Sequence, residues 1–205
     1  MPSPVTTVVF DIGNVLIEWD PEHLYRRLIP DAAARRHFLT EVCSPDWNLE
    51  QDRGRSWSEA VAERVALYPD HADLIRAYDS GWHEMVPGEV PGSVRLLSEL
   101  GDRGVPLYAI TNFSAEKFVE ARARFPFLGT AFRDTVVSAE ERLLKPDPRI
   151  YEVLLARNGL DAASCVFIDD SLKNVEGARN VGMAAIHFTG AEALRVELRR
   201  MGFGV

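Results

Sequence analysis

Five short apolar runs recur along the chain, and stretches of helical periodicity separate them. The runs are residues 5–10 (VTTVVF), 106–110 (PLYAI), 135–137 (TVV), 165–168 (CVFI) and 184–188 (AAIHF). They are short and rich in β-branched and aromatic side chains, the pattern of buried strands. Residues 93–103, 114–125, 147–158, 171–180 and 192–201 read as helices. Ser114 stands as an N-cap. Asp147, Pro148 and Gly159 supply a cap, a first-turn proline and a terminating glycine. This alternation predicts an α/β fold: a Rossmann-like three-layer core with a parallel sheet and helices on both faces.

Residues 18–85 break the rhythm. They contain no convincing strand, and residues 21–28, 31–43, 56–68 and 71–84 read as helical. Pro87, Gly88, Pro91 and Gly92 mark the return to the alternating pattern. The expected division is therefore residues 1–17 and 86–205 as the core, with 18–85 as a small all-helical cap inserted after the first strand. Such an insertion overhangs the C-terminal end of that strand, the edge where open α/β sheets bind ligands.

Composition narrows the choice of partner. The chain has 205 residues, 46% hydrophobic and 26% charged, as expected of a globular protein. Its net charge of -8 argues against nucleic acid, and a phosphate site in it must bring its own positive charge. Cys43 and Cys165, the two cysteines, give no disulfide framework and read as packing residues. The N-terminal segment shows no basic leader, and Asp11 interrupts its apolar run. No stretch reaches the roughly 18 apolar residues of a membrane span. The expectation is a cytoplasmic protein without a membrane partner.

The chemistry lies in four loops, each following a strand. Asp11 follows VTTVVF; Thr111 and Asn112 follow PLYAI; Lys145 stands in LLKPDP; Asp169 and Asp170 follow CVFI. A parallel sheet brings all these strand ends to one edge. Such a set suits phosphoryl transfer. Asp11 and Asp170, with a backbone carbonyl, offer hard oxygens for Mg²⁺. Asp11 can attack phosphorus and form an aspartyl-phosphate. Thr111 and Asn112 can donate to phosphate oxygens, and Lys145 can pair with both Asp11 and the phosphate. Asp169 reads as a group behind the metal ligands. Asn174, one turn into the next helix, either hydrogen-bonds near the metal or faces solvent.

The segments VVFDIGNVL, AITNFS, LLKPDPRIYE and FIDDSLKNVEGARNVG resemble the four motifs of the haloacid dehalogenase superfamily. The overall pattern is similar to its small-capped branch of sugar-phosphate phosphatases, and especially to members whose first motif reads DxGN. The resemblance implies a Rossmann-like core, Mg²⁺, an aspartate nucleophile at Asp11 and a small phosphorylated metabolite as substrate.

The chain departs from that pattern at Gly13, where most phosphatases of the superfamily carry a second aspartate as general acid/base. The Gly13 carbonyl can still face the metal, but it cannot move a proton. Either turnover is slow and favours leaving groups that need little protonation, such as an anomeric sugar oxygen, or the insertion provides the acid, with Glu50 and Asp52 as candidates there and Glu18 nearer Asp11. Arg53 is a candidate for a second anionic group, against the plainer reading of a solvated side chain. Trp47, Trp57 and Trp82 read as packing rather than as a substrate platform. Two rivals remain: a 2-haloacid dehalogenase using the same aspartate on carbon, and a non-catalytic phospho-ligand binder.

Overall fold

The computed structural model describes residues 4–205. The first three residues of the expected N-terminal core segment lie outside that range.

The five apolar runs form five strands: β1 (Thr7–Phe10), β2 (Leu107–Thr111), β3 (Thr135–Val137), β4 (Cys165–Asp169) and β5 (Ala184–His187). They build one parallel sheet in the order β3-β2-β1-β4-β5. β1 lies in the middle, with Val8 in register with Leu107 on one side and Val166 on the other. Every residue of β1, β2 and β4 is buried. This is why these strands read as unbroken apolar runs.

Among the described residues there are thirteen α-helices, some of a single turn. Those between β1 and β2 are α1 (Glu22–Leu28), α2 (Ala32–His37), α3 (Pro45–Asp52), α4 (Trp57–Leu67), α5 (Ala72–Ser80), α6 (Trp82–Met85) and α7 (Pro91–Asp102). The remainder are α8 (Ala115–Arg124), α9 (Phe127–Thr130), α10 (Ser138–Glu141), α11 (Pro148–Asn158), α12 (Leu172–Asn180) and α13 (Ala191–Arg200). Side chains alternate across each strand. Val8 and Phe10 pack with Leu96 and Leu100 of α7, Phe118 of α8 and Leu194 of α13. Val9 and Phe167 face the other way, onto Ile150 and Leu154 of α11 and Ala178 of α12. Two helical layers thus enclose the sheet, and the connections change face at β1.

Helices α1–α6 gather around a separate apolar cluster that includes Tyr25, Phe38, Trp47, Trp57 and Tyr78. Trp57 stacks on Tyr78 with ring centroids 5.8 Å apart, and Trp47 meets Tyr78 edge-on at 5.3 Å. Hydrogen bonds seat this helical segment on the sheet layers. Trp57 Nε1 donates to Ser114 Oγ (2.9 Å) and the Trp57 amide to Glu116 (3.1 Å). Ser138 Oγ donates to the Asp52 carbonyl (2.5 Å), and Arg124 Nη1 to the His83 carbonyl (2.8 Å).

Several boundaries differ from the sequence reading. Residues 45–52 form α3, capped by Ser44, where no helix was expected. The expected helix 31–43 is α2 followed by one wider turn, Phe38–Val42. The expected helix 71–84 breaks at Gly81 into α5 and α6. A Cβ there would stand 2.8 Å from the Ala77 carbonyl and 2.9 Å from Leu24. Pro91, read as a turn marker, is the first residue of α7. Thr111 and Asp169, read as loop residues, are the last residues of β2 and β4.

Candidate active site

The strand ends place Asp11, Thr111, Asp169 and Asp170 along one edge of the sheet, and the loop between α10 and α11 carries Lys145 to the same edge. Lys145 Nζ lies 2.7 Å from Asp11 Oδ1 and 2.7 Å from Asp169 Oδ2, and all three side chains are nearly inaccessible. The Lys145 backbone is itself clasped. Asn112 Oδ1 accepts from its amide (2.8 Å), and Asn112 Nδ2 donates to its carbonyl (3.2 Å). Asn112 therefore lines the site while its side chain fixes the lysine.

The two oxygens of Asp169 are occupied by donors. Oδ1 accepts from the Ser171 amide (2.8 Å) and from Asn174 Nδ2 (3.0 Å); Oδ2 accepts from Lys145 and from Asn174 (3.1 Å). Asn174 thus turns to the site rather than to solvent. Asp11 Oδ1 accepts from the Ile12 amide (2.7 Å) as well as from Lys145. Asp11 Oδ2 takes no hydrogen bond among the described residues. The Thr111 hydroxyl is buried without a hydrogen-bond partner among the described residues. Thr111 itself is buried at the strand end and is not part of the cleft wall.

Electrostatics point the same way. Burial pushes the Asp11 carboxyl up to about 8; Lys145 pulls it down, while Asp169 and Asp170 push it further up. Burial and Asp169 also raise Asp170. Lys145 is raised, because Asp11 and Asp169 outweigh its own burial. Three carboxylates and one ammonium leave an excess of negative charge that a cation would relieve. Oxygens of Asp11, Asp169 and Asp170 lie within 4.8 Å of one another. With Asp169 engaged by N–H donors, Asp11 and Asp170 keep oxygens free for a hard cation such as Mg²⁺. Gly13 lines the same cleft, and a Cβ placed there would meet nothing within 4 Å.

The cleft above these groups holds about 180 Å³ and lies between the sheet edge and the helical segment. Asp52, at the end of α3, reaches it. Glu50 and Arg53 do not: they pair with each other at 3.4 Å, about half exposed, and neither lines the cleft. Glu18 is exposed and is also outside the cleft lining, whereas Trp19 is part of it. Trp57 and Trp82 are packing residues as expected, yet both also form cleft wall.

Sequence reasoning missed two residues here. Asn14 lines the cleft at φ +55°, a conformation asparagine tolerates. It accepts from the Trp19 amide (2.9 Å) and hydrogen-bonds the Asp170 carboxyl. The DIGN segment carried that signal. Lys117 lines the cleft beneath Trp57 and is held by Asp79 (2.7 Å) and Glu120 (2.8 Å). One turn past the Ser114 cap, it was legible only as a helix residue.

Residues 5–182 match the family model of the haloacid dehalogenase-like hydrolases, and the chain belongs to that family. It is 28% identical over 204 residues to a sesquiterpene phosphatase of Aspergillus oryzae, covering 98% of each chain. It is 31% identical over 194 residues to a phosphatase of Mycobacterium tuberculosis, covering 88% of this chain and 86% of that one. Among solved structures, a magnesium complex of a HAD family enzyme from Bacteroides thetaiotaomicron superimposes with a TM-score of 0.76 at 20% identity, covering 96% of this chain and all of that one. The L-2-haloacid dehalogenase of Xanthobacter autotrophicus, with chloropropionic acid covalently bound, gives 0.61 at 20% identity over 98% and 85%. At these identities the structural likeness establishes the fold. The chain is a hydrolase of the phosphatase type, as these two curated relatives are.

Proposed function

We propose that this protein is a Mg²⁺-dependent phosphomonoester hydrolase that works through an aspartyl-phosphate on Asp11. The observation that carries this reading is the buried Lys145 bridging Asp11 and Asp169, with one Asp11 oxygen left open to the cleft. Lys145 and the Ile12 amide hold the carboxylate in one orientation, which favours in-line approach to a bound phosphate. Thr111 and Lys145 supply donors for the phosphate oxygens. Asp11, Asp170 and the Gly13 carbonyl would hold the cation, with Asp169 and Asn174 positioning the lysine behind them. Bound there, Mg²⁺ neutralises phosphate charge and eases approach of the carboxylate.

Helices α1–α6 act in this reading as the cap that selects the substrate. The cleft walls include Ile17, Trp19, Trp57, Trp82, Val86 and Phe113, with Asn48, Asp52, Ser114 and Lys117 as polar exceptions. Such walls favour a compact ester with an apolar organic half over a heavily hydroxylated sugar phosphate. The sesquiterpene phosphatase relative is in keeping with this preference. The dehalogenase alternative shares the nucleophile, but an anionic haloacid gains nothing from Asp170 beside it.

The test is phosphate release from a panel of phosphorylated metabolites with Mg²⁺, using Asp11→Asn as the blank. Hydrolysis that EDTA abolishes, and a radiolabelled phosphate adduct on Asp11, are expected. EDTA-insensitive halide release would overturn the reading in favour of a dehalogenase, and ligand binding without an adduct would favour the binder.

A further inference from the structure

The reading above leaves a gap, because Gly13 cannot move a proton. Carboxylates that line the cleft are Asp11, Asp170 and Asp52. Asp11 is already assigned as nucleophile and metal ligand, and Asp170 as metal ligand. Asp52 belongs to neither set and comes from the opposite wall. We infer that Asp52 is the general acid/base of this enzyme, replacing from the helical segment the aspartate that its family relatives carry two residues after the nucleophile. The inference rests on Asp11 being the nucleophile.

The position of Asp52 is fixed by contacts that leave its carboxyl available. Its backbone carbonyl accepts from Ser138 Oγ at 2.5 Å, tying the end of α3 to the start of α10. Its side chain meets the Ser114 amide and, weakly at 3.5 Å, Asn48 Nδ2. The neighbouring Trp57–Ser114 hydrogen bond closes the same seam. Most surroundings of the carboxyl are therefore protein, although it keeps a window on the cleft. Burial pushes it up to about 7, against the opposing pulls of the Ser114 amide and Lys145. Near neutral pH such a group both gives and takes a proton. The other ionisable groups around it are Lys117 and Asp170 across the cleft, Asp11 beside Lys145, and the Tyr78 phenol of α5.

The proton balance closes over one cycle. As Asp11 attacks phosphorus and the bond to the ester oxygen breaks, the Asp52 proton passes to that oxygen and the alcohol leaves. Water then attacks the aspartyl-phosphate while the Asp52 carboxylate takes one of its protons. The P–O bond to Asp11 breaks, phosphate departs, and both aspartates return to their starting states.

An Asp52→Asn variant tests this with two esters. The leaving group of p-nitrophenyl phosphate departs unprotonated, whereas that of propyl phosphate needs a proton. kcat/KM reports the first step. Expected is a fall of about 10²-fold or more for propyl phosphate, and only a few-fold change for p-nitrophenyl phosphate. kcat should fall for both, because the base is also lost. The decline of kcat/KM for propyl phosphate above about pH 7 should vanish in the variant. Since a Cβ at Gly13 would meet nothing within 4 Å, adding Gly13→Asp to Asp52→Asn should restore at least about tenfold for propyl phosphate. Equal losses of kcat/KM on both esters, or none on propyl phosphate, overturn the inference. Hydrolysis surviving Asp11→Asn would instead overturn the nucleophile reading, and this inference with it.

Discussion

Lys145 is the residue on which the site turns. One ammonium neutralises two carboxylates that face it at 2.7 Å each, with all three side chains shut away from water. Buried ions are tolerated when paired and hydrogen-bonded, and breaking such a set leaves charge with no compensation. Lys145→Met keeps the length and apolar stem while deleting the charge. It should cost about 3–5 kcal/mol in urea unfolding, the range for removing one partner of a buried pair. It should also abolish phosphate release. A variant of wild-type stability would show that Asp11 and Asp169 tolerate each other without the lysine. The sequence supplied the residue and one of its two partners: LLKPDP suggested the pairing with Asp11, whereas Asp169 and the Asn112 clasp emerged only from the packing.

At the scale of elements, α12 shows how packing overrides local preference. Gly177 lies in the middle of that helix, where alanine would ordinarily be favoured by about 1 kcal/mol. A Cβ there would stand 2.9 Å from each of Pro146 Cβ, the Pro146 carbonyl and the Tyr151 hydroxyl. The glycine lets α12 approach the residue that follows Lys145. Gly177→Ala should therefore destabilise by about 1–3 kcal/mol despite its better helix propensity. Because the displaced atoms adjoin Lys145, it should also lower activity; thermal unfolding and phosphate release on one preparation would check both. Helix α3 illustrates the opposite limit. Its sequence PDWNLEQD has no apolar stripe, and its buried residues are Trp47 and Gln51, so periodicity gave no sign of it. Ser44 followed by Pro45 was the available start signal. Without the helix, Glu50 and Asp52 were equivalent candidates. With it they cannot share a face, since residues two apart on a helix point apart. The crowding at Gly81 was hidden for a related reason: one of the atoms a Cβ would meet there belongs to Leu24, far away in sequence.

For the molecule as a whole, the sheet was legible because parallel strands buried on both faces read as unbroken apolar runs, and the site because parallel topology puts strand ends together. The net charge of -8 gives no general attraction for anionic substrates, so binding depends on charge placed locally. Asp11, Asp169 and Asp170 concentrate negative charge at one point, held by a single lysine. Relief of that repulsion by a divalent cation should appear as stability. Mg²⁺ at about 100 times its Kd should stabilise by about 2.7 kcal/mol, or about 5–10 °C in Tm for a chain of this size. The sign of the pH dependence follows from Asp11. Its carboxyl, pushed up to about 8 by burial, binds a proton more readily than an ordinary carboxyl, and a cation must compete with that proton to bind. The Tm gain at fixed Mg²⁺ should therefore grow as pH rises toward about 8, and binding should release protons into a weakly buffered solution. Asp170→Asn separates this from a general salt effect. It removes a ligand together with one of the repelling charges, so the metal-free protein should be no less stable than the wild type, and the Mg²⁺ response should be lost. A full Mg²⁺ shift in that variant would place the cation elsewhere.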